Sequence, residues 1–287
     1  MILLFIINLL SALNFSLSKY ALAYIDPVLF FIVRTVTGGA LCALYYYYMS
    51  TEKAIMTKYL VGMLVMIGAL NVYAANLLQL QSLTTIPSSR ACLLFNTAPF
   101  IVVVLNYFLL GTKISYMKIM GLVCGWIGLL ITVGGDFAVS QTICAGDWFI
   151  LAAALATSIS ALIMERALTT HPISTAYFNA FIFLCGGSFA VMYPGLSLST
   201  CISIKSMSFY ILLVIALVMG TTITTALLYT HLLRKYSAAF VLFTGFTAPL
   251  FAALFDWSFF GHTVAYTFPI SLLCIAIGLY LFYKADS

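Results

Sequence analysis

Apolar residues run along this chain in ten long blocks bounded by charge, proline or glycine: residues 2–20, 28–49, 59–80, 88–110, 115–134, 147–168, 175–194, 207–231, 237–258 and 264–283. Each is close to the roughly 20 residues that an α-helix needs to cross the hydrocarbon core of a bilayer. The breaks are chemically marked. Asp26-Pro27 closes the first turn region, Glu52-Lys53 separates the second and third blocks, and Gly134-Gly135-Asp136 stops the fifth. His171-Pro172 and Pro194-Gly195 bracket the seventh. A membrane β-barrel would instead alternate apolar and polar residues in segments of about ten, so the pattern predicts an all-α integral membrane protein with ten transmembrane helices.

Composition sharpens this. Apolar residues make up 64% of the 287, charged residues 7%, and the mean hydropathy is +1.15. Soluble domains average about 45–50% apolar and about 25% charged, so a soluble fold could not cover its surface here and the excess apolar surface must face lipid. Ten spans leave only short loops, which excludes a large soluble domain within these residues. The net charge of +5 is dispersed and carries no nucleic-acid signal. It does report orientation. With the N-terminus inside, Lys53, Lys58, Lys113, Lys118, Arg166, Arg234, Lys235 and Lys284 fall on the cytoplasmic side, and Lys19 and Lys205 outside. Asp26, Asp136 and Asp147 also fall outside. Both termini are then expected in the cytoplasm. Ala21-Leu22-Ala23 resembles a signal-peptidase site, but no positive segment precedes it, so the stretch reads as a retained first helix.

The chain also repeats itself. Thr97-Ala98-Pro99 in the fourth block recurs as Thr247-Ala248-Pro249 in the ninth, and twelve residues after each proline stands a glycine, Gly111 and Gly261. Asn106 and Asp256 occupy matching places, and Asp26-Pro27 is answered by His171-Pro172. Two halves of five spans, 1–145 and 146–287, must face opposite ways because five is odd. Such an inverted repeat puts a binding site near the midplane between the halves.

Asn14-Phe15…Lys19, Asp26-Pro27…Arg34, Ala98-Pro99…Leu110-Gly111 and Ala248-Pro249…Gly261 together resemble the ten-helix, EamA-type members of the drug/metabolite transporter superfamily. One departure is clear: Thr112 and His262 stand where that family usually has Glu after the glycine. The resemblance implies two EamA-like five-helix repeats in a bacterial inner membrane, acting as a secondary transporter by alternating access. It also implies that spans 1, 3, 4, 6, 8 and 9 line a cavity while spans 5 and 10 stay peripheral. The cargo would be a small polar or amphipathic metabolite: an amino acid, a nucleoside, or an adenosyl compound such as S-adenosylmethionine. Import and export are both open.

Polar side chains inside a membrane are costly and should face the bundle interior or a wet cavity. Asn14, Tyr73, Asn76, Gln79 and Asn96 are such candidates, with Thr222, Thr225 and Tyr229 forming an i, i+3, i+7 stripe on the eighth span. Their other role would be interhelical hydrogen bonding. Arg90, just inside the fourth span after Pro87-Ser88-Ser89, could grip a substrate carboxylate at a helix N-terminus or reach back to the headgroups. Arg34 reads as structural. Glu165 and Asp256 are the carboxylates that a proton-coupled cycle would titrate, or else solvated groups near span ends. Gly121 and Gly125 form a G-x-x-x-G suited to close packing within the protomer or in a homodimer.

No metal, cofactor or catalytic set is indicated. Cys42, Cys92, Cys124, Cys185 and Cys274 lie in apolar blocks, where a thiol is a small hydrophobe. Cys144 and Cys201 read as unrelated loop thiols, a disulfide on the oxidising side being the alternative. An intramembrane enzyme acting on lipid-linked or membrane substrates is the rival class. However, His171, His231 and His262 are far apart and none adjoins a Glu, so no H-E-x-x-H metalloprotease site exists.

Overall fold

The computed structural model describes residues 2–22, 25–49, 57–86, 88–111, 115–137, 143–190, 209–248, 250–251 and 268–286, and their regular structure is helical. In chain order the helices are α1 (Ile2–Leu22), α2 (Pro27–Met49), α3 (Lys58–Ile67), a π-helical segment (Gly68–Ala75), α4 (Asn76–Thr85), α5 (Ser88–Phe95) and α6 (Ala98–Leu110). There follow α7 (Tyr116–Phe137), α8 (Ala145–Thr170), α9 (Thr175–Ala190), α10 (Phe209–Leu232), α11 (Ala238–Thr244), a 3-10 turn (Gly245–Thr247) and α12 (Phe268–Asp286). Among the described residues, four helical stretches are long and apolar enough to cross a membrane, Pro27–Tyr48, Lys58–Thr85, Arg90–Leu109 and Ala145–Thr170, and six shorter apolar helices fall in the other six blocks.

Local chemistry sets the ends. Asp26 Oδ1 accepts the backbone N–H groups of Val28 (2.8 Å) and Leu29 (3.2 Å), and Pro27 supplies a pre-set φ at the first helical position of α2. Thr57 and Ser237 cap α3 and α11 through their hydroxyls. Gly111 ends α6 at φ +63° with its N–H on the carbonyl of Tyr107, a left-handed stop that glycine adopts without strain. The third span runs to Thr85, five residues past its apolar block. The polar tail Gln81–Thr85 stays helical because it packs on the start of α8, where a Cβ on Gly146 would lie 2.1 Å from Thr85 Oγ1.

Side-chain direction follows the membrane. Tyr45, Tyr47 and Tyr48 on α2, Ile119, Val123 and Ile127 on α7, and Leu272, Leu273 and Tyr280 on α12 face outward. Phe178, Phe240, Phe243, Phe246 and Phe282 are fully buried. So large an exposed apolar belt suits lipid contact. The most extensive helix pairings are α7 with α12 and α8 with the third span; α2 also packs extensively on α9, and α1 on α10.

Two spans are interrupted in mid-course. Pro99 has no N–H to give the carbonyl of Phe95 and its ring crowds that carbonyl; α5 ends at Phe95, and a turn at Asn96-Thr97 precedes α6. In the ninth span the helix tightens into the 3-10 turn at Gly245, four residues before Pro249 in the sequence. There the Ala248 N–H goes to Gly245 O, which frees Thr244 O for the Asn8 amide (2.8 Å) and the Thr247 hydroxyl (2.8 Å).

Candidate substrate cavity

The interrupted spans meet at the centre of the bundle. Asn96 Oδ1 sits 3.3 Å from the position a Cβ on Gly245 would occupy, so a larger residue there would push the two breaks apart by a few tenths of an ångström. Around them lies a cavity of about 270 Å³, near the lower end of ordinary ligand pockets. Eight spans contribute to its wall. The second and seventh join the six that family resemblance implies, through Arg34 and Thr35 on α2 and Asn179, Ile182 and Phe183 on α9. The fifth and tenth contribute nothing among the described residues.

The π-helical segment shapes the third span's side of the wall. Residues five apart on an α-helix point about 140° apart, which would separate Asn71 from Asn76. A wider i→i+5 turn brings them to one face. Both line the cavity, and the Asn76 amide donates to Asn71 O at 2.8 Å. Asn76 Oδ1 in turn accepts a 2.6 Å bond from Arg34 Nη2. Gly186 on α9 makes the widened turn fit, since a Cβ there would lie 2.5 Å from Val72 and 2.8 Å from Gly68 O.

Asn14 ties α1 to α10 by donating to Thr222 Oγ1 (2.8 Å) and Thr221 Oγ1 (3.0 Å). Thr222 and Thr225 return their own hydroxyl protons to carbonyls one turn back, on Val218 and Thr221, which leaves their oxygens as acceptors. The Tyr229 hydroxyl is buried without a hydrogen-bond partner among the described residues.

The structure thus brings Asn14, Asn76, Gln79, Asn96, Thr222, Thr225 and Tyr229 to one cavity. Tyr73 and Arg90 lie elsewhere. The π-helical winding points Tyr73 between the rings of Phe31 and Phe189, each 6.2 Å away. Arg90 Nη2 lies 2.8 Å from Asp147 Oδ2, with both side chains mostly buried, so it meets a carboxylate of α8 rather than the cavity or the headgroups. Asp147, at the start of the sixth apolar block, is the first-turn acid of α8 and also accepts the Cys144 N–H at 2.9 Å. Glu165 Oε2 accepts the Ala238 N–H (3.0 Å) at the start of α11, where a carboxylate complements the helix dipole. Gly121 and Gly125 are absorbed within the protomer. A Cβ on Gly121 would lie 2.8 Å from Gly278 O, and one on Gly125 would meet the Phe243 and Phe246 rings at 2.8 Å. Asp256, Pro249, Gly261 and Cys201 lie outside the described residues.

The polar wall residues that sequence reasoning missed are Asn8, Ser11, Thr35, Asn71, Thr157 and Asn179, and Arg34 belongs in the wall as well. One signal was available. Arg34 stands seven residues after Pro27, and Asn179 seven after Pro172, so the repeat carries polar residues to matching positions of α2 and α9. Asn179 donates to Thr230 Oγ1 on α10 at 2.8 Å, as Arg34 donates to Asn76 on the third span.

Comparison with known proteins agrees with this architecture. The EamA-like transporter family matches residues 1–134. A "S-adenosylmethionine/S-adenosylhomocysteine transporter" of Chlamydia muridarum (strain MoPn / Nigg) is 24% identical over 277 residues, covering 92% of this chain and 84% of that protein. Its counterpart in Chlamydia trachomatis serovar L2 is 23% identical over 280 residues, covering 92% and 81%. The "Uncharacterized transporter YoaV" of Bacillus subtilis (strain 168) is 26% identical over 176 residues, 61% of this chain and 59% of its own. A crystal structure that shares 15% identity superposes with a TM-score of 0.77 over 99% of this chain and 96% of its own, a likeness of fold. Residues 1–134 match the EamA-like transporter family, and the chain is a multi-pass helical membrane transporter.

Proposed function

We propose that this transporter carries an adenosyl amino acid, of the S-adenosylmethionine and S-adenosylhomocysteine kind, and that the central cavity is where it binds. The observation carrying this reading is the mixed chemistry of the cavity at two interrupted helices. Phe95, Phe183 and Tyr229 offer ring faces to a base, while the amides of Asn14, Asn76, Gln79 and Asn96 suit ribose hydroxyls and base edges. Interrupted spans expose backbone groups only where protein or a wet cavity receives them. Similarity to two chlamydial transporters named for this cargo, over nine-tenths of the chain, supports the same choice.

Alternating access would come from two inverted halves, 1–145 and 146–287. The helix pairings fit a two-fold relation. The second span pairs with the seventh and the fifth with the tenth, while first-with-eighth mirrors third-with-sixth. Both termini would then lie in the cytoplasm, with the positive loops, of a bacterial inner membrane. Because Gly121 and Gly125 are spent on intramolecular contacts, a monomer suffices. Purified protein in proteoliposomes preloaded with S-adenosylhomocysteine should accumulate labelled S-adenosylmethionine with saturable kinetics. Vesicles that take up neither adenosyl compound, yet accumulate free amino acids or nucleosides, would overturn the cargo.

A further inference from the structure

Arg34 is the charged side chain of the cavity wall, and among the described residues no carboxylate joins it there. It is 4% exposed. Its guanidinium gives one bond, Nη2 to Asn76 Oδ1 at 2.6 Å, and lies 5.7 Å from the centre of the Phe30 ring. Nε is buried with no partner. The ion pair found among the described residues, Arg90 with Asp147, is formed by other groups. A buried guanidinium with five donors and no counter-ion is expensive, and a neutral amide on one nitrogen does not neutralise it. Tyr229, in the wall of the same cavity, holds a second buried donor without a partner.

We propose that Arg34 is the receptor for the carboxylate of the cargo, with the Tyr229 hydroxyl as an accessory donor. The inference rests on the cavity being the transport site. It deepens that reading by requiring an amino-acid end on the cargo and excluding a bare nucleoside. Asn76 holds Nη2, while Nε, which has no partner among the described residues, is left for a charge-assisted bond to the anion. Asn179, at the matching position of α9, already satisfies Thr230 and carries no charge, so the two halves differ in charge at this point. That difference would orient the cargo along the pseudo-symmetric cavity.

Matched pairs differing only in the carboxylate test this. S-adenosylhomocysteine against S-adenosyl-3-thiopropylamine is one pair, and methionine against 3-(methylthio)propylamine is the other. In wild-type proteoliposomes the carboxylated member should compete with labelled uptake at least about tenfold better, and Arg34→Gln should bring the ratio within about twofold. Equal competition in wild type, or an undiminished ratio in Arg34→Gln, overturns the assignment. If Arg34→Gln fails to fold, phenylglyoxal modification of the wild type decides. S-adenosylhomocysteine, and not its decarboxylated counterpart, should protect the peptide carrying Arg34; equal protection or none contradicts the proposal. The two readings fail separately. Methionine preferred over its amine, with neither adenosyl compound recognised, removes the adenosyl cargo and keeps Arg34. Adenosyl transport without carboxylate preference does the reverse.

Discussion

The α7–α12 seam and the central cavity are built from blocks of similar hydropathy, yet they solve opposite problems. At the seam Gly121 and Gly278 meet backbone to backbone: a Cβ on either would lie 2.7–2.8 Å from the other's carbonyl oxygen. Gly128 lies equally close to Cys274 and Ile275. The helices are regular and the contact is made by shape, as expected where lipid offers no hydrophobic drive to association. The cavity inverts each feature. Its helices are widened at Gly68–Ala75, broken at Asn96-Thr97 and tightened at Gly245–Thr247, and its wall is held by amides and hydroxyls bonded across spans. The seam is a fixed joint; the cavity is where backbone and side chains retain unspent hydrogen-bonding capacity.

The largest expected effect breaks the joint. Gly278→Val would place branched carbons against Gly121 O and the Gly125 backbone at 2.7–3.1 Å, where nothing can yield. The protein in detergent should lose about 3 kcal/mol or more of stability, read by thermal or denaturant unfolding. Next is the ion pair. Arg90→Gln strands the mostly buried Asp147 carboxylate and should cost about 2–4 kcal/mol. The double variant Arg90→Gln/Asp147→Asn should recover most of that, because the side-chain amide oxygen it introduces would still accept the cap bond from the Cys144 N–H.

Cavity substitutions should separate transport from stability. Asn76→Leu should lower uptake at least about tenfold while the protein still elutes as a folded species. Tyr229→Phe removes a hydroxyl with no partner, so unfolding should be unchanged while uptake falls by a few-fold, about the worth of one hydrogen bond to the cargo. If either change merely unfolds the protein, that residue joins helices rather than holding cargo. The smallest effect is expected at Gly62, where a Cβ meets nothing within 4 Å. Gly62→Ala should leave transport intact and stabilise α3 by under about 1 kcal/mol.

This contrast also explains what the sequence made legible. Long apolar blocks and paired Thr-Ala-Pro motifs disclose helical spans and their approximate ends, because membrane helices must satisfy their backbone internally. Asn14, Asn76 and Tyr229 stand out as polar groups at membrane depth. The π-helical segment does not, since no residue in Gly68–Ala75 differs in kind from its neighbours. Its cause is tertiary, the close approach of Gly186 to Gly68 and Val72, and the same winding carries Tyr73 out of the wall. Arg90 misleads for a related reason. Its partner Asp147 is 57 residues away, and the pairing arises only when the starts of α5 and α8 meet.

Two native cysteines allow the cavity and the seam to be read in one molecule. Cys92 lines the cavity, while Cys124 donates to Cys274 O at the seam at 3.4 Å. The direct measurement is the rate at which a small membrane-permeant thiol reagent modifies each in reconstituted protein, followed by mass spectrometry with and without saturating S-adenosylhomocysteine. A cargo held in the cavity should slow modification of Cys92 by at least about fivefold, in line with mass-action protection at saturation, and leave Cys124 unchanged. Adenosyl uptake through a protein whose Cys92 is modified at the same rate with and without cargo would contradict the central cavity as the binding site.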